Sequence, residues 1–168
     1  MGSPYARTHA YFAARAAGLP DAGAFWPEIS RELYALLDTQ LTPFDDALDT
    51  LAELRAREVP VAVASSSPRE RLDRTLARVN LAFGVTVAGD EIEHGKPAPD
   101  MFLEAARRLG VPPERCVVVE DSPPGVQAGI AARMPTLGVC RVPGTEHTLA
   151  AAHRVVDRVS ATAILSLL

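Results

Sequence analysis

Residues 59–70 read VPVAVASSSPRE, and this stretch decides the fold. Residues 59–64 form an apolar, valine-rich run of strand length, Ser65-Ser66-Ser67-Pro68 forms a turn, and beyond it Leu72, Leu76 and Val79 recur at helical spacing. A strand that enters a helix through a polar turn is half of a βαβ unit, and the pattern repeats downstream. Residues 85–88 read as a second short strand, 89–99 as a long loop, and 100–109 as a helix that turns Phe102, Ala105 and Leu109 inward. Residues 116–119 are continuously apolar, as expected of a strand covered on both faces, and 125–132 form the next helix. Residues 136–140 and 154–157 are further strands, and 163–168 a terminal helix. This alternation predicts an α/β protein with a parallel, Rossmann-like sheet.

Upstream the periodicity is helical. Residues 43–54 place Asp45 and Asp46 in a first turn, where acids suit the helix dipole, and Ala47, Leu48, Leu51 and Leu54 on one apolar face. Tyr11, Phe12 and Ala14 mark an earlier helix, and Ile29, Leu33, Leu36 and Leu37 another. Residues 19–23 break the two, and Pro27 reads as a first-turn proline. The chain therefore divides into a helical unit, 1–42, and an α/β core, 43–168. Tyr5, Tyr11, Phe12, Phe25 and Trp26 are the distinctive residues of the first unit and read as packing residues.

Composition narrows the function. With 168 residues, 48% hydrophobic and 23% charged, the chain is an ordinary globular protein. Its net charge of −4, with arginines scattered in pairs, argues against nucleic acid as a partner. No stretch of 18 apolar residues is present, so no membrane association and a cytoplasmic location are expected; oligomeric state is not legible. Cys116 and Cys140 lie in or at the end of apolar runs and read as small core residues. The single lysine, Lys96, stands out against sixteen arginines, given 17 basic residues in all.

In a parallel sheet ligands bind outside the carboxyl ends of the strands, and polar clusters fall there. Ser65, Ser66 and Ser67 read either as a helix N-cap or as hydroxyl and amide donors converging on an anion. Glu120 and Asp121 put adjacent carboxylates at the rim, either as an acidic helix cap or as hard oxygen ligands for Mg²⁺. Lys96 sits in GKPAPD (residues 95–100), where prolines stiffen the backbone around it. It is either a solvated loop residue or a fixed point charge for a phosphoryl oxygen. His94 reads either as an acid/base or as a surface residue, the surface reading being favoured, and His9, His147 and His153 lack metal-ligand spacing.

Taken in order, VAVASSSPRE, GKPAPDMF and VVVEDSPPGVQAG resemble motifs two, three and four of the haloacid dehalogenase-like hydrolases, in the branch of β-phosphoglucomutase and phosphoglycolate-type phosphatases. The resemblance implies that Ser65 and the Ser66 backbone hold a phosphoryl group, that Lys96 is the motif-three lysine, and that Glu120 and Asp121 hold Mg²⁺. It also implies phosphoryl transfer from a small phosphorylated metabolite through an aspartyl-phosphate, by hydrolysis or as a mutase, with residues 1–42 as a partial helical cap. The family's first motif, Asp-x-Asp-Gly-Thr after an apolar strand, has no counterpart here. Asp45, Asp46 and Asp49 lack the preceding strand and the glycine, and sit on a helical periodicity. The sheet is therefore expected to lack its first, central strand, between the strands ending at Ser65 and Glu120. The chain is accordingly expected to be an incomplete reading of a longer protein, and as it stands a catalytically inactive phosphate- and metal-binding fragment is the alternative to an enzyme.

Overall fold

The computed structural model describes residues 4–16 and 18–168. Its contacts divide the chain between Leu41 and Thr42. The first unit holds α1 (Pro4–Ala13) and α2 (Ala22–Gln40). Asp21 caps α2, its Oδ1 accepting from the amides of Gly23 at 2.8 Å and Ala24 at 3.1 Å. The cap satisfies the first-turn amides, so the helix starts there and Pro27 lies inside it, not in the first turn. Among the described residues of this unit Phe25 is the buried aromatic, edge-on to His9 and Trp26 at 5.1 and 5.0 Å. Tyr11 and Phe12 are exposed, Tyr11 beneath the Arg15 guanidinium, and the side chain of Tyr5 lies outside the described residues.

In the second unit, α3 (Asp45–Ala56) leads into β1 (Ala62–Ala64), α4 (Arg69–Arg78) and β2 (Val85–Val87). There follow α5 (Asp100–Leu109), β3 (Val118–Glu120), α6 (Pro123–Ala131), β4 (Thr136–Val139), β5 (Arg154–Val156) and α7 (Ala161–Leu165). Every strand pairing is parallel, as the alternation of elements requires. Helix α5 buries Met101, Phe102, Ala105 and Ala106 and keeps Arg107 and Arg108 near its carboxyl end, where cations suit the dipole. Gly110 stops it in the left-handed conformation, at φ 69°. Among the described residues, no helix is long and apolar enough to cross a membrane.

The sheet is split. β1 pairs with β2, and β3 with β4 and β4 with β5, but β1 and β3 do not pair, so each has an edge without a strand partner among the described residues. Between them runs an apolar slot of about 390 Å³. Val61, Val63, Val117 and Val119 line its sides, with Leu54 and Ile164 on one face and Phe102 and Met134 on the other. Val119, which the sequence places in a strand covered on both faces, is 41% exposed because it borders this gap. The split falls where the family resemblance places a further central strand.

Helix α3 departs from its expected apolar face. Asp46 and Thr50 are buried beside Leu54, whereas Leu48 is 37% exposed. The reason is electrostatic. Asp46 Oδ2 accepts from Arg141 Nη1 at 2.8 Å and from the Val159 amide at 2.7 Å, so the helix turns this acid inward and Leu48 outward. The Arg141 guanidinium holds the Asp46 carboxyl below its ordinary value of 3.8, with the Val159 amide adding to the effect against the opposing influence of burial.

Two outcomes follow for Asp46. Replacing it by Ala strands the partly buried Arg141 and the Val159 amide, and is expected to cost about 2–4 kcal/mol in denaturant unfolding. Because folding lowers its pKa, its stabilisation is fully present above 3.8 and lost as the pH falls through the lower folded value. Denaturant midpoints followed from about pH 5 to pH 2 should therefore fall less steeply in Asp46→Asn than in the wild type.

Candidate phosphate-binding site

Four loops meet at the carboxyl ends of the parallel strands. They are the Ser65–Ser67 turn after β1, the Lys96 loop after β2, Glu120–Asp121 at the end of β3, and Arg141 after β4. Together they line a pocket of about 480 Å³ that contains all five sequence-selected residues: Ser65, Ser66, Lys96, Glu120 and Asp121. Ala64 and Val119 line both this pocket and the apolar slot, so the two cavities adjoin.

Lys96 is the centre of the arrangement. Its side chain is only 11% exposed, and Nζ bonds Glu120 Oε1, lies 3.4 Å from the Ala64 carbonyl oxygen and sits 4.9 Å above the Phe102 ring. The peptide between Lys96 and Pro97 is cis. The rim placement expected for both acids holds for Asp121, which is exposed, but not for Glu120, which is 8% exposed. Glu120 is buried because it is compensated: Oε1 faces the ammonium and Oε2 accepts from Ser122 Oγ at 2.9 Å.

The helix-capping readings of the two polar clusters fail. The N-cap of α4 is Pro68, which makes no side-chain cap, and the Arg69 amide donates instead to Asp90 Oδ1 at 2.9 Å. The N-cap of α6 is Ser122, whose Oγ accepts from the Gly125 amide at 3.2 Å. Released from capping, the Ser66 amide and hydroxyl and the Asp121 carboxylate make no hydrogen bond among the described residues. Ser65 Oγ accepts from the Ser67 amide at 3.2 Å, which folds the turn back, and the Gly89 amide donates to the Ser67 carbonyl at 2.8 Å. Gly89 is obligatory there, since an added Cβ would collide with the Ser66 carbonyl.

Among the described residues no three His, Cys, Asp or Glu side chains form a metal cluster. Mg²⁺ does not require one, because it binds through one or two carboxylates and completes its octahedron with water and phosphate oxygens. Asp121, exposed and without a hydrogen-bonding partner, meets that demand with Glu120 adjacent in the chain.

Sequence reasoning missed Phe44, Asp46, Ser122, Gly125 and Arg141. Arg141 could have been found from its place just after an apolar strand, at the end where the other site residues lie. Asp46 could not, since a first-turn acid ordinarily faces water.

Hydroxyl, amide, ammonium and carboxylate groups thus converge at the strand ends of a parallel α/β core, where such sheets bind their ligands. A family model described as haloacid dehalogenase-like hydrolase matches residues 5–133, and the chain belongs to that family. A bifunctional riboflavin kinase/FMN phosphatase of Arabidopsis thaliana is 37% identical over 136 residues, covering 77% of this chain but only 36% of that protein. Among solved structures, a Thermotoga maritima protein assigned as a beta-phosphoglucomutase superposes with a TM-score of 0.81 at 27% identity, covering 99% of this chain and 78% of its own. A HAD family hydrolase from Deinococcus radiodurans with bound phosphate and sodium gives a TM-score of 0.76 at 34% identity, covering 98% and 74%.

Gly125 provides a direct test of the buried acid. A Cβ at this position would occupy the space of the Glu120 carboxylate. Gly125→Ala is expected to cost about 2 kcal/mol in the wild type and less than about 0.5 kcal/mol in a Glu120→Ala background. Chemical denaturation of the four proteins checks it, and equal costs in both backgrounds would remove the steric account.

Proposed function

We propose that this chain carries the phosphoryl- and Mg²⁺-binding side of a phosphohydrolase acting on a small phosphorylated metabolite. The observation that supports this most is the meeting of Ser65, Ser66, Lys96, Glu120 and Asp121 in one pocket, with the capping work done by other residues. In this reading Ser65 Oγ and the Ser66 amide hold phosphoryl oxygens. Lys96 sets its charge between the phosphoryl group and Glu120, offsetting repulsion between an anionic nucleophile and an anionic substrate. Asp121 and Glu120 hold Mg²⁺, directly or through water. The ion supplies positive charge against the phosphoryl oxygens when bound.

An aspartyl-phosphate route also needs a carboxylate in line with phosphorus. The acids lining the pocket are Glu120 and Asp121, both assigned here to the metal, so the reading places the attacking aspartate on an extended segment seated in the slot beside Ala64 and Val119. In this reading the pocket residues themselves supply phosphate and metal binding, and the nucleophile comes from that segment.

Thermal melts test the binding. Phosphate with MgCl₂ at about ten times its Kd should stabilise the chain by about 1.4 kcal/mol, raising the midpoint by about 4 °C. Lys96→Ala should abolish the shift while still melting cooperatively. A wild-type chain that phosphate and Mg²⁺ leave unshifted would remove the proposal. Release of phosphate from an aryl phosphate that Lys96→Ala abolishes would show instead that the nucleophile is already present.

A further inference from the structure

Arg141 belongs to the pocket wall but has no part in the phosphoryl and metal roles assigned above. It is contributed from beyond β3, on the opposite side of Glu120 from Ser65 and Ser66, at the end of β4. Its guanidinium is unusually well fixed. Nη1 donates to the buried Asp46 carboxylate at 2.8 Å and lies 3.4 Å from the Asp157 carbonyl oxygen, while the group lies 4.2 Å from the centre of the Phe44 ring. These contacts use one end nitrogen and one face. Nε and Nη2 have no hydrogen-bonding partner among the described residues, although the side chain is 23% exposed and lines the cavity. An arginine held by one nitrogen keeps donors in a planar fork, the arrangement that matches a carboxylate or phosphate.

Arg141 lines the same cavity as Ser65, Ser66 and Lys96, so one small ligand held at the phosphoryl-binding end can extend toward it. We propose that Arg141 is a specificity residue that receives a second oxyanion of the substrate, so that this site selects phosphorylated metabolites carrying a carboxylate or another phosphate at their far end. Asp46 and Phe44 act through Arg141 as positioning residues. The inference rests on the reading of Ser65, Ser66 and Lys96 as the phosphoryl site.

The test is calorimetric titration with ligands that cannot turn over. The probes are 3-phosphonopropionate and 4-phosphonobutyrate, each against the alkylphosphonate of the same chain length, all with MgCl₂. The wild type should bind at least one carboxylated ligand about tenfold more tightly than its alkyl counterpart, the effect of a single charge-assisted pair in a partly exposed site. Arg141→Gln should lower the affinity for that ligand selectively, until the two bind alike. Because this change strands Asp46, the same measurement is made on Asp46→Asn/Arg141→Gln, which removes the buried charge and keeps an acceptor for the Val159 amide. A purely structural role would weaken both members of a pair equally. Equal binding of each pair by the wild type, or a preference that survives the loss of Arg141, overturns the inference alone. A wild type that binds none of the phosphonates overturns the phosphoryl site and this inference with it.

Discussion

The contact between Lys96 and Glu120 is the one on which the site depends. The two sheets share no strand pairing, and at their carboxyl ends Lys96 spans the gap, reaching toward the Ala64 carbonyl on β1 and bonding the carboxylate that ends β3. A buried ion pair is stable only when its remaining lone pairs and protons are satisfied. Here Ser122 serves the second oxygen of Glu120 and Phe102 lies under the ammonium. Gly125 leaves the space the carboxylate occupies, which explains a glycine in the first turn of α6. The pair thus couples the loop after β2 to the strand end of β3 and sets the floor of the pocket.

The rest of the site follows from where capping is done. Had Ser65–Ser67 capped α4, or the acids capped α6, their polar atoms would be consumed by the helices. Asp90 and Ser122 take those tasks, which leaves the Ser66 amide and hydroxyl and the Asp121 carboxylate open at the cavity. Donors for an anion and a ligand for a hard cation are then presented side by side, on loops held by parallel strands. Metal-assisted phosphoryl transfer uses that pairing, since the metal and the anion share oxygens.

Much of this was legible in the sequence, for identifiable reasons. Runs such as 59–64 and 116–119 are short, apolar and bounded by turns, so their strand character and parallel arrangement could be read locally, and helix α5 is amphipathic over its whole length. The five pocket residues could be selected because Ser65, Ser66, Glu120 and Asp121 fall where an apolar strand ends and Lys96 is the single lysine, beside prolines, and the structure brings them together. What local pattern could not give was anything fixed by a distant partner. Asp46 is turned inward by Arg141, 95 positions away, which overrode the apolar periodicity that pointed Leu48 to the core. Glu120 is buried because Lys96 and Ser122 compensate it. The exposure of Val119 reflects a gap beside its strand, a property of the sheet and not of residues 116–119.

The central claim is that the Ser65–Ser67 turn and Lys96 form one phosphoryl site across the split sheet. A crystal structure of the chain grown with inorganic phosphate and MgCl₂ tests it most directly. The account predicts one phosphate bonded to Ser65 Oγ, the Ser66 amide and Lys96 Nζ, with Mg²⁺ between that phosphate and Asp121. A phosphate bound elsewhere, out of reach of Lys96 and with the serine turn empty, would contradict it.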